Sequence, residues 1–179
     1  MQDYTVRSTR TRTDSAARRV VDVLVILLVC AAITVFIFGV LLVPMKVGGS
    51  NVIELASGDI VLIDRVSKYL TDYSIGDIVR AETEAGEAFY RVAALGGSTY
   101  LVRNGKAYLD GALIDESAYS VGWSPERELR FTVPENEVLL LPDDRTGITH
   151  LTGWSVLMNN IQGEVRFRVA PLKRLAFFY

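Results

Sequence analysis

The chain is poor in the residues that build metal and redox sites. Its 179 residues include one cysteine and one histidine. A single cysteine excludes an internal disulfide framework and any cysteine-built zinc site. With His150 as the sole imidazole, the paired-histidine motif of zinc hydrolases is impossible. No Ser-x-x-Lys occurs, which removes the serine/lysine arrangement of the penicillin-binding enzymes. No glycine-rich loop leads into a helical segment, so a phosphate cradle has no support either. The expectation is a protein without a cofactor or a metal. A Ser-His-Asp triad stays open, since it would need only His150, Ser50 and an aspartate. A lone histidine beside Thr149 in a polar loop is, however, ordinarily a surface residue.

The net charge of −2 conceals an asymmetry. Residues 1–22 carry Arg7, Arg10, Arg12, Arg18 and Arg19 against Asp3, Asp14 and Asp22, a balance of +2 that leaves −4 for the remainder. An acidic body argues against nucleic acid as a partner. Directly after the basic arm, Val23 to Val43 contains no charge. At about 1.5 Å per residue such a helix spans roughly 30 Å, the thickness of bilayer hydrocarbon. A cleavable signal peptide has a shorter apolar region and a small-x-small exit. The exit here is LLVPMKVGG, and the reading is therefore an uncleaved anchor, with Cys30 as a lipid-facing or packing residue. The arginines place the N-terminus in the cytoplasm. Three segments are expected: a cytoplasmic arm over 1–22, a transmembrane helix over 23–43 and an extracytoplasmic domain over 44–179.

Beyond the anchor the period changes. Short runs rich in Val, Ile, Leu, Tyr and Phe (GDIVLIDRV, GDIVRAET, AFYRVAAL, TYLVRNGKAYLDG, LRFTVPE, EVLLLPDD and GEVRFRVAPL) alternate with Gly, Asp and Asn. That pattern predicts strands. Asn104-Gly105 lies between two such runs and predicts a type I′ hairpin, whose central residues both need positive φ. Residues 117–125 read as a loop. The fold class is mainly β, with a single N-terminal transmembrane helix followed by an antiparallel folded sheet or barrel. Trp154, Val156, Leu157 and Met158, with Leu175 to Tyr179, would either pack in the core or rest on the lipid surface.

Ser50 with Gly58-Asp59, then Gly76-Asp77-Ile78-Val79, Asn104 to Gly111, Val133-Pro134-Glu135, Pro142-Asp143-Asp144-Arg145 and Asn160 to Val165, come in an order that resembles type I signal peptidase, the membrane-anchored serine protease that removes signal peptides with a Ser/Lys dyad. Ser50 falls on the nucleophile of the family's Pro-Ser-Gly-Ser-Met-x-Pro, and Gly58-Asp59 on the Gly-Asp that follows. Gly76-Asp77-Ile78-Val79 matches a second Gly-Asp element, and Asn104 to Gly111 resembles the family's hairpin. Val133-Pro134-Glu135, Pro142-Asp143-Asp144-Arg145 and Asn160 to Val165 resemble Val-Pro-Glu, Gly-Asp-Asn-Arg and the closing strand. The resemblance implies the signal peptidase I fold in the small form common in Gram-positive bacteria, with secreted precursors as substrates.

The chain departs from the family where the chemistry lies. Tyr90 stands where the family's general-base lysine is expected, followed by Arg91-Val92 as in Lys-Arg-Val. An ordinary phenol has pKa about 10, so only about one in a thousand is ionised at pH 7. A neutral tyrosine is a poor base, and loss of general-base help costs about 10²- to 10⁴-fold. Gly48 replaces the serine that assists the oxyanion. In the substrate-binding stretch, Asn51, Ile53 and Glu54 replace Met, Pro and Thr. Asp143 and Asp144 read either as acid/base or metal groups or, more simply, as a structural turn whose carboxylate Arg145 holds. Among alternative bases, Lys46 lies at the membrane exit, where lysines snorkel, and Lys68 and Lys106 fall in a loop and a hairpin. The resemblance thus implies a membrane-anchored, non-catalytic relative that binds secreted precursors or pilins, with pilus assembly as its role. The alternative is an active signal peptidase with an unusual base. The partners expected are precursor or pilin polypeptides and membrane lipid.

Overall fold

The structure, a computed structural model, describes residues 12–66, 69, 73–124 and 126–178. Arg7, Arg10, Asp3, Lys68, Pro125 and Tyr179, all used in the sequence reading, lie outside them. Two compact units are present, one up to Gly39 and one from Val40.

The first unit holds helix α1 (Arg12–Phe36), and a π turn over Ile37–Leu41 follows it across the boundary at Gly39. Its leucines, valines and isoleucines are exposed along the helix. Within residues 17–41 the most apolar 18-residue stretch has mean hydropathy 3.1, and among the described residues this is the one helix long and apolar enough to cross a membrane. Thr34 places its hydroxyl on the Cys30 carbonyl at 2.8 Å, a local bond that conceals a polar group on an apolar helix.

The second unit is mainly β. Strands β1 (Leu42–Lys46), β2 (Ile60–Asp64), β3 (Ile78–Thr83), β4 (Gly86–Leu95), β9 (Glu137–Leu141), β10 (Ser155–Leu157) and β11 (Ile161–Ala170) form a curled antiparallel sheet in the order β1-β2-β11-β3-β4-β9-β10, with β12 (Ala176–Phe177) paired to β11. A smaller sheet, β7-β6-β5-β8, comprises β5 (Thr99–Arg103), β6 (Lys106–Leu109), β7 (Ala112–Ile114) and β8 (Leu129–Thr132). Each apolar run named above supplies a strand. The hairpin forms as its turn chemistry requires: Asn104 and Gly105 have φ of 52° and 72°, and Arg103 pairs with Lys106. Strand β1 begins inside the uncharged run, with Leu42 and Val43 opposite Asp64 and Ile63. Pro44 is tolerated there because β1 is a sheet edge.

Strict alternation sorts β9 between two cores. Val138 and Leu140 join Tyr90, Val79 and Val92, while Leu139 and Leu141 join Tyr100, Trp123 and Ile148. On β4, Phe89 serves a third core with Val47, Val61, Ile63 and Val165. A register shift between Val92 and Ala94 then places Ala93 and Ala94 in one cluster, the reorientation that a bulge produces. Of the apolar C-terminal segments, Val156 is buried, whereas Leu157, Leu175 and Phe177 are exposed.

One buried acid gives this unit a pH dependence. Glu164 on β11 is 3 % exposed and pairs with Arg166 at 2.8 Å. Burial, reinforced by Asp77 and Asp64 and opposed by Arg166, pushes its carboxyl up from 4.5 to about 7. Between those values the folded state holds a proton that the unfolded chain has released, so stability falls as pH rises. Its contribution is full below about 4.5 and lost once pH passes about 7. Urea unfolding at pH 5 and pH 8 should show a loss on the order of 1–3 kcal/mol in the native protein. That loss should be largely absent in Glu164→Gln.

Candidate active site

Ser50 lies in the loop between β1 and β2. The base of this loop is closed by Val47 N–H donating to Asp59 O at 2.8 Å and Gly58 N–H to Val47 O at 2.8 Å. Val47, Val52 and Leu55 anchor it in the core at 0 %, 2 % and 4 % exposure. The Ser50 hydroxyl makes a local turn, accepting from Val52 N–H at 3.0 Å and donating to Val52 O at 3.2 Å. Such a hydroxyl satisfies itself within its own loop.

The loop is held against β4 and the end of β9. Asn51 N–H donates to Phe89 O at 3.2 Å, and Asp143 N–H donates to Asn51 O at 2.7 Å. The Asp143 carboxylate, wholly buried, accepts from Ile53 N–H at 2.9 Å. It is gripped by Arg91, Nε on Oδ1 at 2.9 Å and Nη2 on Oδ2 at 3.1 Å. Arg91 also donates to Glu54 Oε2 at 2.7 Å and Gly76 O at 2.9 Å, and its guanidinium sits 4.2 Å from the Tyr119 ring centre. A two-pronged charged pair with a third donor on the same carboxylate fixes a loop more firmly than either bond alone.

The ion pair expected between the aspartates and Arg145 does not form. Arg145, wholly buried, pairs with Glu116 and donates to Tyr100 Oη at 2.8 Å and Pro142 O at 3.2 Å. Asp143 is already neutralised by Arg91, and Asp144 is exposed while Arg145 is buried. Asp144 points to solvent-side partners, accepting from Thr146 N–H at 3.1 Å and Thr146 Oγ1 at 2.7 Å. Those bonds hold its carboxyl below the usual range. The group that organises the Ser50 loop is therefore Arg91 with Asp143, and Tyr119 and Glu116 join the networks around it. Sequence reading passed over Arg91, Tyr119 and Glu116. The one signal available was the Arg that follows the base position in the family's Lys-Arg-Val.

Ser50, Asn51 and Ile53 open onto a cleft of about 770 Å³, lined also by Asp144, His150 and Trp154. Ile53 is 62 % exposed. None of the described residues that line the cleft is a lysine. Lys46 is exposed on β1, and Lys106 lines a different cavity on β6. Glu54, expected at the mouth, instead reaches Arg91 beside a smaller pocket of about 150 Å³. Gly48 lies outside the cleft lining, and its carbonyl accepts from Ser57 Oγ at 3.2 Å.

Tyr90 is wholly buried and absent from the cleft lining. Its hydroxyl donates to Gly86 O at 2.8 Å and lies 3.0 Å from Thr83 Oγ1. Its ring meets Trp154 edge-on, with centres 5.9 Å apart and planes at 75°. The side chain is a core aromatic behind a cleft residue, and its polar end is occupied. His150 is exposed as expected, yet it lines the same cleft as Ser50, with Nδ1 3.1 Å from Thr149 Oγ1.

A family model described as signal peptidase, peptidase S26, matches residues 18–169, most of the chain. The chain belongs to the signal peptidase family. Among solved structures it is similar to a signal peptidase I from Enterococcus faecalis V583, at 19 % identity and a TM-score of 0.43. That match covers 52 % of this chain and 97 % of that one. No curated protein matches the sequence. In this signal peptidase-like chain, Ser50, which the resemblance sets at the family's serine, lines the cleft, and Tyr90, which it sets at the lysine, lies in the core.

Proposed function

We propose that this member of the signal peptidase family is held in the membrane by α1, with its arm in the cytoplasm and its β unit outside. There it binds extended segments of secreted precursors in the Ser50 cleft and does not cleave them. The observation that carries the reading is Tyr90: its hydroxyl is bonded to Gly86 and Thr83, and no lysine lines the described cleft. Without an amine to take the serine proton, the Ser/Lys route has no base. The cleft has what binding needs, a concave surface with apolar Ile53 and Trp154 beside polar Asn51 and Thr146.

The purified full-length protein in detergent should retain a fluorescent precursor peptide without converting it, and Ser50→Ala should behave the same way. Ser50-dependent product formation would overturn the proposal. A pilin precursor is the client favoured by the resemblance to degenerate relatives. Pull-down of pilin by the full-length protein, with loss of pili on deletion, supports that client; unchanged pili with no captured pilin rejects it.

One observation favours a second reading, an active peptidase with an unusual base. His150 shares the cleft with Ser50, and imidazole is the side chain whose ordinary titration lies nearest neutrality. In that case turnover should appear, fall about 10²-fold or more in His150→Ala, and vanish in Ser50→Ala.

A further inference from the structure

Asp144 is the one acidic residue among the described residues that line the Ser50 cleft, and none of them is a lysine or an arginine. The resemblance sets an uncharged asparagine at this position, in Gly-Asp-Asn-Arg, so the charge is this chain's own. His150 is the other lining residue able to carry a charge, and an ordinary imidazole is mostly neutral at pH 8.

The Asp144 carboxylate is exposed, and the fold holds it in place. A parallel bridge joins its backbone to Val121. Val121 N–H donates to Asp143 O at 2.8 Å, and Arg145 N–H donates to Val121 O at 3.3 Å. Both bonds from Thr146 fall on one oxygen, Oδ1. Oδ2 makes no hydrogen bond among the described residues, and Asp144 enters no ion pair with them. A carboxylate fixed at one oxygen and open at the other loses little freedom when it meets a cation.

A second carboxylate lies at the rim. Glu84, in the turn between β3 and β4, precedes the lining residue Ala85 and sets its carboxylate against Gly153, which precedes the lining residue Trp154. The room exists because residue 153 has no Cβ; one built there would collide with Glu84 Oε2. Glu84 is exposed and pairs with no cation among the described residues. Trp154 belongs to the aromatic type that attracts a cation most strongly.

We infer that the Ser50 cleft selects client segments that carry a lysine or an arginine, with Asp144 as the residue that determines the choice and Glu84 in support. The inference rests on the cleft being a polypeptide-binding site, and it names the chemical class of the client. An acidic segment meets repulsion from both carboxylates, and a neutral one leaves them without a partner. A metal ion is a poorer occupant, since no three metal-ligating side chains gather at one point among the described residues.

The test uses the full-length protein in detergent at pH 8 and three fluorescent peptides, Ser-Thr-Val-Ser-Xaa-Val-Thr-Ser-Val with Xaa as Lys, Gln or Glu, followed by anisotropy. Exposed ion pairs contribute up to about fivefold each, so the Lys peptide should bind about three- to fivefold more tightly than the Gln peptide and about tenfold more tightly than the Glu peptide. About 0.5 M salt should compress that range. Asp144→Asn, whose amide oxygen still accepts from Thr146, should cut the preference for Lys over Glu about threefold or more and leave the affinity for the Gln peptide within about twofold. The retained Gln affinity shows that the cleft is intact. Glu84→Gln should act in the same direction by about twofold. Equal affinity for the three peptides, or a preference that survives in the double variant Asp144→Asn with Glu84→Gln, overturns the inference and leaves the cleft as a binding site. Absence of saturable binding by any of the peptides overturns both. If a peptide is instead cleaved in a Ser50-dependent way, the non-catalytic reading fails alone, and the same order of Lys, Gln and Glu should appear in kcat/KM.

Discussion

Replacing Asp143 with alanine should destabilise the folded β unit by about 3–5 kcal/mol, because it strands a buried charge. Arg91 is 4 % exposed, and its Nε and Nη2 both rest on Asp143. Removal of the carboxylate also leaves Ile53 N–H without its acceptor, so part of the effect falls on the Ser50 loop itself. Glu54, exposed on the other side of Arg91, keeps one contact and limits the loss. Asp143→Asn should cost less, since an amide oxygen still accepts from Ile53 while the charge is gone. Chemical denaturation of the full-length protein in detergent measures both. A cycle with Arg91→Met should show coupling of about 1–3 kcal/mol between positions 91 and 143. Additive effects at the two positions would mean that Arg91 does not hold the loop through Asp143.

Arg145→Ala should cost a comparable amount, about 3–5 kcal/mol, for a different reason. Arg145 and Glu116 are both buried and lie in the core that includes Tyr100 and Trp123. Removing the cation leaves the Glu116 carboxylate charged in apolar surroundings and opens a cavity beside Trp123, over which the guanidinium sits. Removing both charges together avoids the stranded partner. The double variant Arg145→Met with Glu116→Leu should therefore recover most of the loss and fall within about 1–2 kcal/mol of the native protein, as apolar replacement of buried pairs commonly does. Denaturation midpoints of the single and double variants provide the check. A double variant as unstable as Arg145→Ala would show that the cost lies in packing volume and not in charge.

The strands were legible because each rests on a local rule. Alternation in EVLLLPDD divides Val138 and Leu140 from Leu139 and Leu141 between two cores, and the positive φ that Asn104-Gly105 permits sets the β5–β6 register. The apolar run from Val23 was legible as a helix for the same reason, since every residue in it suits one environment. The emergence of β1 within the last residues of that run was not, because Leu42 and Val43 serve equally well in lipid or opposite Ile63 and Asp64.

The site shows the opposite balance. Ser50, Asn51 and Ile53 could be placed on one loop by sequence order, and the structure brings them to one cleft. Arg145 was assigned to its neighbours in the chain, whereas its partner is Glu116, 29 residues away. Nothing local distinguishes those choices, because a buried cation takes whichever acid the fold buries beside it. Arg91 was hidden next to the more conspicuous Tyr90, although it bonds Asp143 from 52 residues away.

By itself the sequence determined the family, the β character of the second unit, the apolar segment and the absence of lysine at position 90, since each depends on residue type at a given place in the chain. The tertiary structure alone decided that the Tyr90 hydroxyl is spent on Gly86 and Thr83, that His150 lines the cleft of Ser50, and that Arg145 pairs with Glu116, whose Oε1 has no hydrogen-bond partner among the described residues. Those facts depend on which distant groups folding places within hydrogen-bonding reach, and on which it leaves without a partner.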